Sequence, residues 1–430
     1  MNDSEATAST ESRSVHSDIS TNSSVELGAA RTQYILVALL FFGTALAYFD
    51  RQTLALLKPT LDALFHWTDA DFAFMGAAFS FASAATILFS GWLVDKVGVR
   101  RSYGVAVFLW SIAGTITAFA STVQQFVGAR VLLAVTETVS GPASIKAAAE
   151  YLPPQQRSVA IGIVTSATSI GAIAAPLVIP TISVAFGWQA AFLCTGGVGF
   201  VWLTVWLWST RNFGSVGDRT TASRGPEIRW RLLLTDRRTW AVVGAKIISD
   251  WVFWFTLFWM PAFFHSVFHL AQAQLGEPIA LIYTLAALGA VGAGVAFPAL
   301  IKRGVNSHRA RQVSLVVFAC FALPYAFVLG ASSPWVAATI IGIAVFGHNG
   351  FTTNIFGMIA DVVPRPYVAT VMALSSVASN LSGAVMIEVS GWCLTHGYGY
   401  RPMFIMGSVA YLLAFAWIHF LLPVIRPASA

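Results

Sequence analysis

Charged side chains are scarce in this sequence. They make up 10% of the 430 residues, whereas a soluble globular chain carries about 25%. Hydrophobic residues reach 57%, and the mean hydropathy is +0.71. Because so few charges cannot give a chain of this size a water-facing surface, the composition excludes an ordinary soluble protein. It predicts an all-α polytopic membrane protein, with the lipid bilayer as its main surroundings.

The residue patterns of soluble enzymes are missing as well. Three cysteines, Cys194, Cys320 and Cys393, lie far apart in apolar stretches, which argues against a disulfide framework or a cysteine metal site. We find no phosphate-binding loop, no zinc-binding His-Glu-x-x-His and no serine nucleophile elbow. We therefore expect no enzyme activity, no metal and no cofactor. The formal charge of +6 is spread over short loops, so we also expect no nucleic-acid partner.

Long apolar runs dominate the chain, and a helix of about 20 apolar residues crosses a bilayer. Six runs lie at about 33–57, 72–95, 101–121, 123–149, 158–184 and 188–210. Six more lie at about 238–264, 276–301, 311–331, 335–360, 367–393 and 402–424. The sequence thus predicts twelve transmembrane helices in two six-helix halves, residues 32–211 and 238–424. Residues 212–237 are the predicted linker, the Ser- and Thr-rich residues 1–31 a disordered tail, and residues 425–430 a second tail.

Basic residues concentrate in alternate loops. If the N-terminus is cytoplasmic, the cytoplasmic loops and tails hold 19 of the 25 Lys and Arg residues, Arg311 among them. The outer loops hold only Lys58 and Arg401. By the positive-inside rule, this asymmetry predicts a multi-pass protein of the cell inner membrane with both termini in the cytoplasm.

The loop after the second apolar run carries a family signature. It contains Gly91, Asp95, Gly98, Arg100 and Arg101 in the stretch Gly-Trp-Leu-Val-Asp-Lys-Val-Gly-Val-Arg-Arg. This loop resembles the signature cytoplasmic loop of the major facilitator superfamily, which implies the major facilitator fold and alternating access. Gly98 is expected to form a tight turn. The Asp95 carboxylate is expected to cap a helix or pair with a basic side chain and so clamp one half against the other.

Several charges lie inside apolar segments, where each costs about 3 kcal/mol or more at the bilayer centre. Asp50 and Arg51 belong to the first helix, and Arg130 and Glu137 stand two turns apart on the fourth. We expect these four to share one cavity, in which the arginines hold an anion and the carboxylates carry protons; a static salt-bridge cluster is the alternative.

Two further buried charges stand four residues apart on the seventh helix. Lys246 and Asp250 can therefore face each other, as a structural ion pair or as part of a gate. Glu388 in the eleventh helix has no role that the sequence indicates.

The same residues carry a closer resemblance, over about residues 33–424. Tyr48-Phe49-Asp50-Arg51, the Arg130-to-Glu137 stretch and Ala149-Glu150-Tyr151-Leu152-Pro153-Pro154 look like the anion:cation symporter branch of the superfamily. The stretches from Asp250 to Pro261 and from His348 to Phe356 are similar to helices seven and ten of bacterial hexuronate transporters. The resemblance implies a substrate site that includes Tyr48, Arg51, Arg130, Thr165, Trp254, His348, Asn349, Asn354 and Asn380.

The chain departs from the hexuronate transporters at five positions of this pattern. Those transporters tend to have Tyr, Asn, Tyr, Lys and Trp at the positions of Ser83, Thr165, Thr256, Ala262 and Phe351. The carboxylate-binding arginines are kept.

Together these observations predict a proton-coupled symporter that imports a sugar acid such as a hexuronate or hexonate, and that works as a monomer. Because no Walker motif is present, transport would run on an ion gradient. Two alternatives stay open: a transporter of another small organic anion, such as a non-sugar carboxylate, and a transporter-like sensor that binds a sugar acid without moving it.

Overall fold

The computed structural model describes residues 3–211, 230–364 and 367–423, with the backbone alone for residues 3–32, 154, 155, 158, 230 and 232. Every regular element in these ranges is helical. The N-terminal half contains α1 (Asp3–Phe65), α2 (Asp69–Val97), α3 (Val99–Thr117), α4 (Val123–Glu137), α5 (Ser140–Tyr151), α6 (Pro154–Phe186) and α7 (Trp188–Ser209). The C-terminal half contains α8 (Trp230–Thr235), α9 (Arg237–Ser249), α10 (Trp251–Phe268), α11 (Gly276–Lys302), α12 (Ser307–Cys320), α13 (Pro334–Val362), α14 (Val368–Thr395) and α15 (Arg401–Leu421). Two 3₁₀ helices, Gln272–Gln274 and Leu323–Gly330, precede α11 and α13.

Twelve segments of the described chain cross the bundle, as the sequence predicts. Ten of them are long and apolar enough to span a membrane, from Gln33–Phe65 to Arg401–Leu421. The other two are α3, whose first turn carries two arginines, and the segment formed by α4 and α5, which holds four charged residues. The protein is therefore a polytopic membrane protein with two six-helix halves.

The fourth segment is divided in two. Helix α4 ends at Glu137 and α5 begins at Ser140. Pro142 lies in the first turn of α5 and has no backbone N–H to donate to the carbonyl of Thr138, so the helical hydrogen bonds are interrupted there. The break falls directly after Glu137 and thus beside the buried charges.

The predicted tails and linker fall at the edges of the described chain. Helix α1 begins at Asp3 and so includes the Ser- and Thr-rich tail, but its membrane-spanning part begins at Gln33. The disorder of that tail stays a prediction. Residues 230–235 of the predicted linker form α8, while residues 212–229 and the C-terminal tail lie outside the described residues.

The two halves meet through three helix pairs, α1 with α10, α2 with α14 and α6 with α11. Gln272 Nε2 donates to the carbonyl oxygen of Leu56 at 2.7 Å, and Thr60 Oγ1 donates to Gln272 Oε1 at 3.2 Å. The rings of Phe72 and Trp259 meet edge to face at 5.2 Å. These contacts lie at the end that the distribution of basic residues predicts to face outward.

At the opposite end of the bundle, the described ion pairs lie within one half and do not join the two halves. The ion pairs Asp95–Lys146 and Arg311–Asp361 each join helices of the same half. The described contacts between the halves thus lie at the end that the sequence predicts to face outward.

Lys58 lies within this closed end, where the sequence predicted an outer loop. It is 3% exposed, inside α1, and its Nζ contacts Asp62 Oδ2 and Asp69 Oδ1 at 2.5 and 2.8 Å. The loop position is wrong because α1 continues about two turns beyond its apolar run, to Phe65. The ammonium also lies over the rings of Phe72 and Trp259, at 5.2 and 5.6 Å from their centroids. Lys58 therefore touches both halves.

Candidate functional site

A buried ion pair joins the first and fourth segments of the N-terminal half. Arg51 Nε on α1 donates to Glu137 Oε2 on α4 at 2.9 Å. The Glu137 side chain is fully buried, whereas the Arg51 side chain is 18% exposed. A ligand can therefore contact the Arg51 side chain directly, whereas Glu137 is covered by Arg51 and its other neighbours.

Arg130 lies beside this pair with most of its hydrogen-bonding capacity unused. It is 3% exposed, and its Nη1 donates to the backbone oxygen of Asp50 at 3.4 Å. Its Nε and Nη2 atoms, and Glu137 Oε1, have no hydrogen-bond partner among the described residues. A buried charge without partners is costly, so the two Arg130 nitrogens are suited to a ligand that supplies an acceptor, and Glu137 Oε1 is suited to a donor.

Asp50 completes the cluster. It is 6% exposed, and the hydroxyl of Thr195 on α7 lies near its carboxylate, as do Arg130 and Glu137. The four charged residues that the sequence predicts to meet are thus close together, with Arg130 next to Asp50. Their roles in binding an anion and in carrying protons stay predictions.

Two aromatic rings flank the accessible arginine. The Arg51 guanidinium lies over the ring of Tyr48 at 4.9 Å and near that of Phe79 at 5.7 Å. Tyr48, a predicted binding residue, therefore belongs to the cluster. Thr165, also predicted, is exposed on α6, and its hydroxyl donates to the Ile161 carbonyl of the same helix.

Each of the following predicted residues of the C-terminal half has at least one hydrogen bond within the protein. Trp254 Nε1 donates to Ser379 Oγ at 3.2 Å, and Asn380 Nδ2 to the Ser376 carbonyl at 2.9 Å. His348 Nδ1 shares a hydrogen bond of 2.9 Å with the hydroxyl of Tyr411. Asn349 Nδ2 donates to the Ala286 carbonyl of α11 at 2.8 Å.

Asn354 lies in a different place, next to Arg311. Its Oδ1 accepts from Arg311 Nη1 at 3.3 Å, and Arg311 Nη2 pairs with Asp361 at 2.6 Å. Arg311 is 5% exposed inside α12, so its predicted loop position is wrong. Asn354 and Asp361 stand seven residues apart on α13, nearly on one line of the helix. This seven-residue spacing indicates that Asn354 and Asp361 can both contact one side chain, and the sequence analysis did not identify Arg311 as that side chain.

Lys246 and Asp250 form the ion pair that their spacing predicts, and both side chains are 4% exposed. Asp250 stands at the junction of α9 and α10. The ammonium of Lys246 also lies over the ring of Phe356 on α13, at 5.2 Å. The pair therefore lies inside the C-terminal half, and a role in gating stays a prediction.

The signature loop makes its contacts within the N-terminal half. Gly98 has φ 85° between α2 and α3, a backbone conformation that favours glycine, as the predicted tight turn requires. Asp95 Oδ1 pairs with Lys146 Nζ of α5 at 2.9 Å, and Arg100 Nε donates to Thr210 Oγ1 at 3.2 Å. The described contacts of Asp95 do not join the two halves, as the predicted clamp would. The described contacts between the halves lie at the opposite end of the bundle.

The remaining loop positions carry no described contact of this kind. Gly91 is partly exposed on α2, and Arg101 is exposed on α3.

The helices form two six-helix halves, and the N-terminal half contains a buried, incompletely paired charge cluster. A family model described as Major Facilitator Superfamily matches residues 40–387, and the chain belongs to that superfamily. The class of protein is therefore a transporter and not an enzyme.

Curated relatives and a solved structure agree with this assignment. The chain is 24% identical to the D-galactonate transporter of Escherichia coli O6:H1 over 416 residues, 90% of this chain and 95% of the relative. It is 25% identical to the hexuronate transporter of Escherichia coli (strain K12) over 400 residues, 89% and 92% of the two chains. These relatives confirm the resemblance to the anion:cation symporter branch. A bacterial homologue of the human lysosomal transporter Spinster shares the fold, with a TM-score of 0.76, 16% identity and coverage of 93% of this chain and 99% of that one.

Proposed function

We propose that this chain is a proton-coupled symporter that imports a sugar acid, such as a hexuronate or a hexonate, by alternating access. The observation that carries the proposal is the Arg51–Glu137 ion pair beside Arg130, whose Nε and Nη2 atoms lack a partner among the described residues. A substrate carboxylate supplies the missing acceptor, and guanidinium binds carboxylate through two parallel hydrogen bonds. The sugar-acid transporters among the relatives support the same substrate class.

Anion and proton binding are coupled through Glu137. A carboxylate that binds Arg51 competes with Glu137 for the guanidinium. Once Glu137 loses that partner, its charge is buried without compensation, so protonation of its side chain becomes more favourable. By linkage, the proton then favours the anion to the same extent. Asp50, buried beside Arg130, is the second proton carrier of this mechanism.

The cycle uses the contacts that hold the halves together. With the outer side open, the anion and protons enter from outside. The contacts around Lys58 and Gln272 then close the outer side, and the inner side opens. In the state with the outer side open, Asp95 holds the inner side closed through a contact with the C-terminal half. This contact replaces its pair with Lys146 or is made in addition to it. We place this cycle in a monomer in the inner membrane with cytoplasmic termini, in which residues 32–211 and 238–424 are the moving halves.

Two of the positions that depart from the hexuronate transporters pack inside the C-terminal half. The Thr256 hydroxyl shares a hydrogen bond of 3.0 Å with Tyr325 and is buried among helices of one half. Phe351 is fully buried against the ring of Tyr411. In the contacts described, neither side chain reaches Arg51 or Arg130.

Transport assays in proteoliposomes test the proposal. Vesicles with the purified chain should exchange labelled hexuronate or hexonate across the membrane, and an inward proton gradient should drive its accumulation. Exchange without any response to the proton gradient would rule out proton coupling. Specific binding without exchange would favour the sensor. If no sugar acid is bound and none is transported, the proposed substrate class is wrong.

A further inference from the structure

Two glycines lie where a helix of one half meets a helix of the other half. Gly276 is the first residue of α11, and Gly391 lies near the end of α14. A Cβ built on Gly276 would lie 2.5 Å from the carbonyl oxygen of Pro176 on α6. A Cβ built on Gly391 would collide with the Cβ of Ala73 and lie 3.0 Å from the carbonyl oxygen of Asp69, both on α2. Neither contact therefore leaves room for a side chain.

The prolines of α6 explain why a carbonyl oxygen is available at the first contact. In an α-helix each backbone N–H donates to the carbonyl four residues earlier. Pro180 has no N–H, so the Pro176 carbonyl lacks its usual donor within the helix. In the same way Pro176 leaves the carbonyl of Ala172 without its usual donor, and Gln52 Nε2 of α1 donates to that oxygen at 3.2 Å. The Ala172 carbonyl is thus used within the N-terminal half, whereas the Pro176 carbonyl faces the C-terminal half.

The Pro176 carbonyl meets a favourable partner at the start of α11. Gly276 begins that helix, and the first residues of a helix carry its positive partial charge. The oxygen can therefore approach the backbone of Gly276 closely, and Cα–H···O contacts of this kind recur between tightly packed helices. Only a residue without a Cβ permits the approach, because a backbone carbonyl cannot rotate away as a flexible side chain can.

Both glycine contacts lie at the end of the bundle that holds Lys58 (the Lys58 end). Gly276 stands four residues after Gln272, which binds α1 at this end. Asp69, whose carbonyl oxygen faces Gly391, binds Lys58 through its carboxylate. The contacts join α6 to α11 and α2 to α14, which are two of the three helix pairs through which the halves meet. The Lys58 end is therefore closed where two backbones touch, in addition to its polar contacts.

Resting on the alternating access of the proposed function, we infer that Gly276 and Gly391 form a steric latch, which lets the Lys58 end close because neither residue has a Cβ. Small residues allow two membrane helices to approach until their backbones touch. An added methyl group would collide with the other half in the closed arrangement, and it would be free of that collision once the end is open. Substitution therefore destabilises one arrangement of the halves and not the fold of either half.

Alanine substitutions combined with spin labels across the Lys58 end test the latch. Gln124 near the start of α4 and Ser332 just before α13 are exposed at this end, one in each half. Labels at these two positions, in a cysteine-free background, report the distance between the halves. In Gly276→Ala and in Gly391→Ala we expect the ratio of closed to open molecules to fall about fivefold or more, which appears as a longer distance.

Two other glycines of α11 provide matched controls. A Cβ on Gly289 would collide with the backbone of Phe346 on α13, within the C-terminal half. Outside the adjoining backbone, no described heavy atom lies within 4 Å of a Cβ on Gly294. Gly289→Ala should lower the melting temperature and leave the distance between the halves unchanged, and Gly294→Ala should change neither. If Gly289→Ala opens the Lys58 end as far as Gly276→Ala does, general loss of stability explains the shift and the inference is overturned.

The wild-type distance in folded Gly276→Ala and Gly391→Ala would also overturn the inference. A shift in only one of the two variants would remove the other glycine from the latch. If one variant does not fold, the other still decides, because each substitution tests its own contact. The distance is measured without substrate, so failure of every sugar acid in the vesicle assay would overturn the proposed function and leave the result for the latch unaffected.

Discussion

Arg51 and Glu137 are joined by an ion pair of 2.9 Å although 86 residues separate them in the chain. The pair connects α1 to α4 and places an accessible guanidinium in front of a fully buried carboxylate. Any anion that reaches Arg51 therefore alters the surroundings of Glu137. This relationship is the basis of the first two predictions.

Replacement of either arginine of the cluster should abolish uptake. In Arg51→Ala or Arg130→Ala the substrate carboxylate loses a buried, charge-assisted partner, a loss of about 2–5 kcal/mol, or thirtyfold or more in affinity. Uptake by purified variants in proteoliposomes is the measurement, with Arg309→Ala, an exposed arginine at the start of α12, as the control. Wild-type uptake by either variant would remove that arginine from the site.

Glu137→Gln should uncouple transport from the proton gradient. Glutamine resembles the protonated side chain but cannot release a proton inside, so the variant should exchange substrate and fail to accumulate it. Counterflow and gradient-driven uptake are measured in the same vesicles. Glu277→Gln, an exposed carboxylate at the start of α11, is the matched control. If Glu137→Gln still concentrates substrate under an imposed pH gradient, Asp50 becomes the first candidate for coupling.

Asp95→Asn should slow turnover much more than it weakens binding. Among the described residues Asp95 pairs with Lys146 of its own half, so we expect its larger effect in a state in which the two halves meet at the end that carries Asp95. We expect the maximal rate of counterflow to fall about tenfold or more while KM changes less than about threefold. Equal losses in both would argue that the loop does not act on the conformational change.

Removal of the Lys58 charge should weaken the closed outer end. Lys58→Met leaves Asp62 and Asp69 without their cation and removes its charge from the face of Trp259. The cost is about 1–3 kcal/mol, since both carboxylates keep partial contact with water. The population should shift toward an open outer side.

Spin labels at the exposed positions Leu64 and Gln274, in a cysteine-free background, would report this shift as a longer distance between the halves. Lys302→Met, on an exposed residue at the other end of the bundle, should leave the distance unchanged. The same distance distribution in Lys58→Met as in the wild type would contradict a role for Lys58 in closing the outer side.

Much of the architecture could be predicted from local sequence properties. Apolar runs of membrane length mark the twelve segments, because the bilayer tolerates neither charges nor unpaired backbone groups. The two-turn spacing of Arg130 and Glu137 places both on one side of α4, and the four-residue spacing of Lys246 and Asp250 makes their ion pair. The turn at Gly98 follows from its residue type alone.

The tertiary structure decided which charges meet. Hydropathy assigned Lys58 and Arg311 to loops. A charge near the end of an apolar run lowers the mean hydropathy of its window by the same amount whether the side chain faces water or a buried carboxylate. Their burial depends on Asp69 and Asp361, which belong to neighbouring helices. The same holds for Arg51 and Glu137, and for the rings of Phe79 and Phe258, which approach each other at 6.5 Å across the two halves. Periodicity describes one helix at a time, whereas these contacts depend on how helices distant in the chain pack side by side.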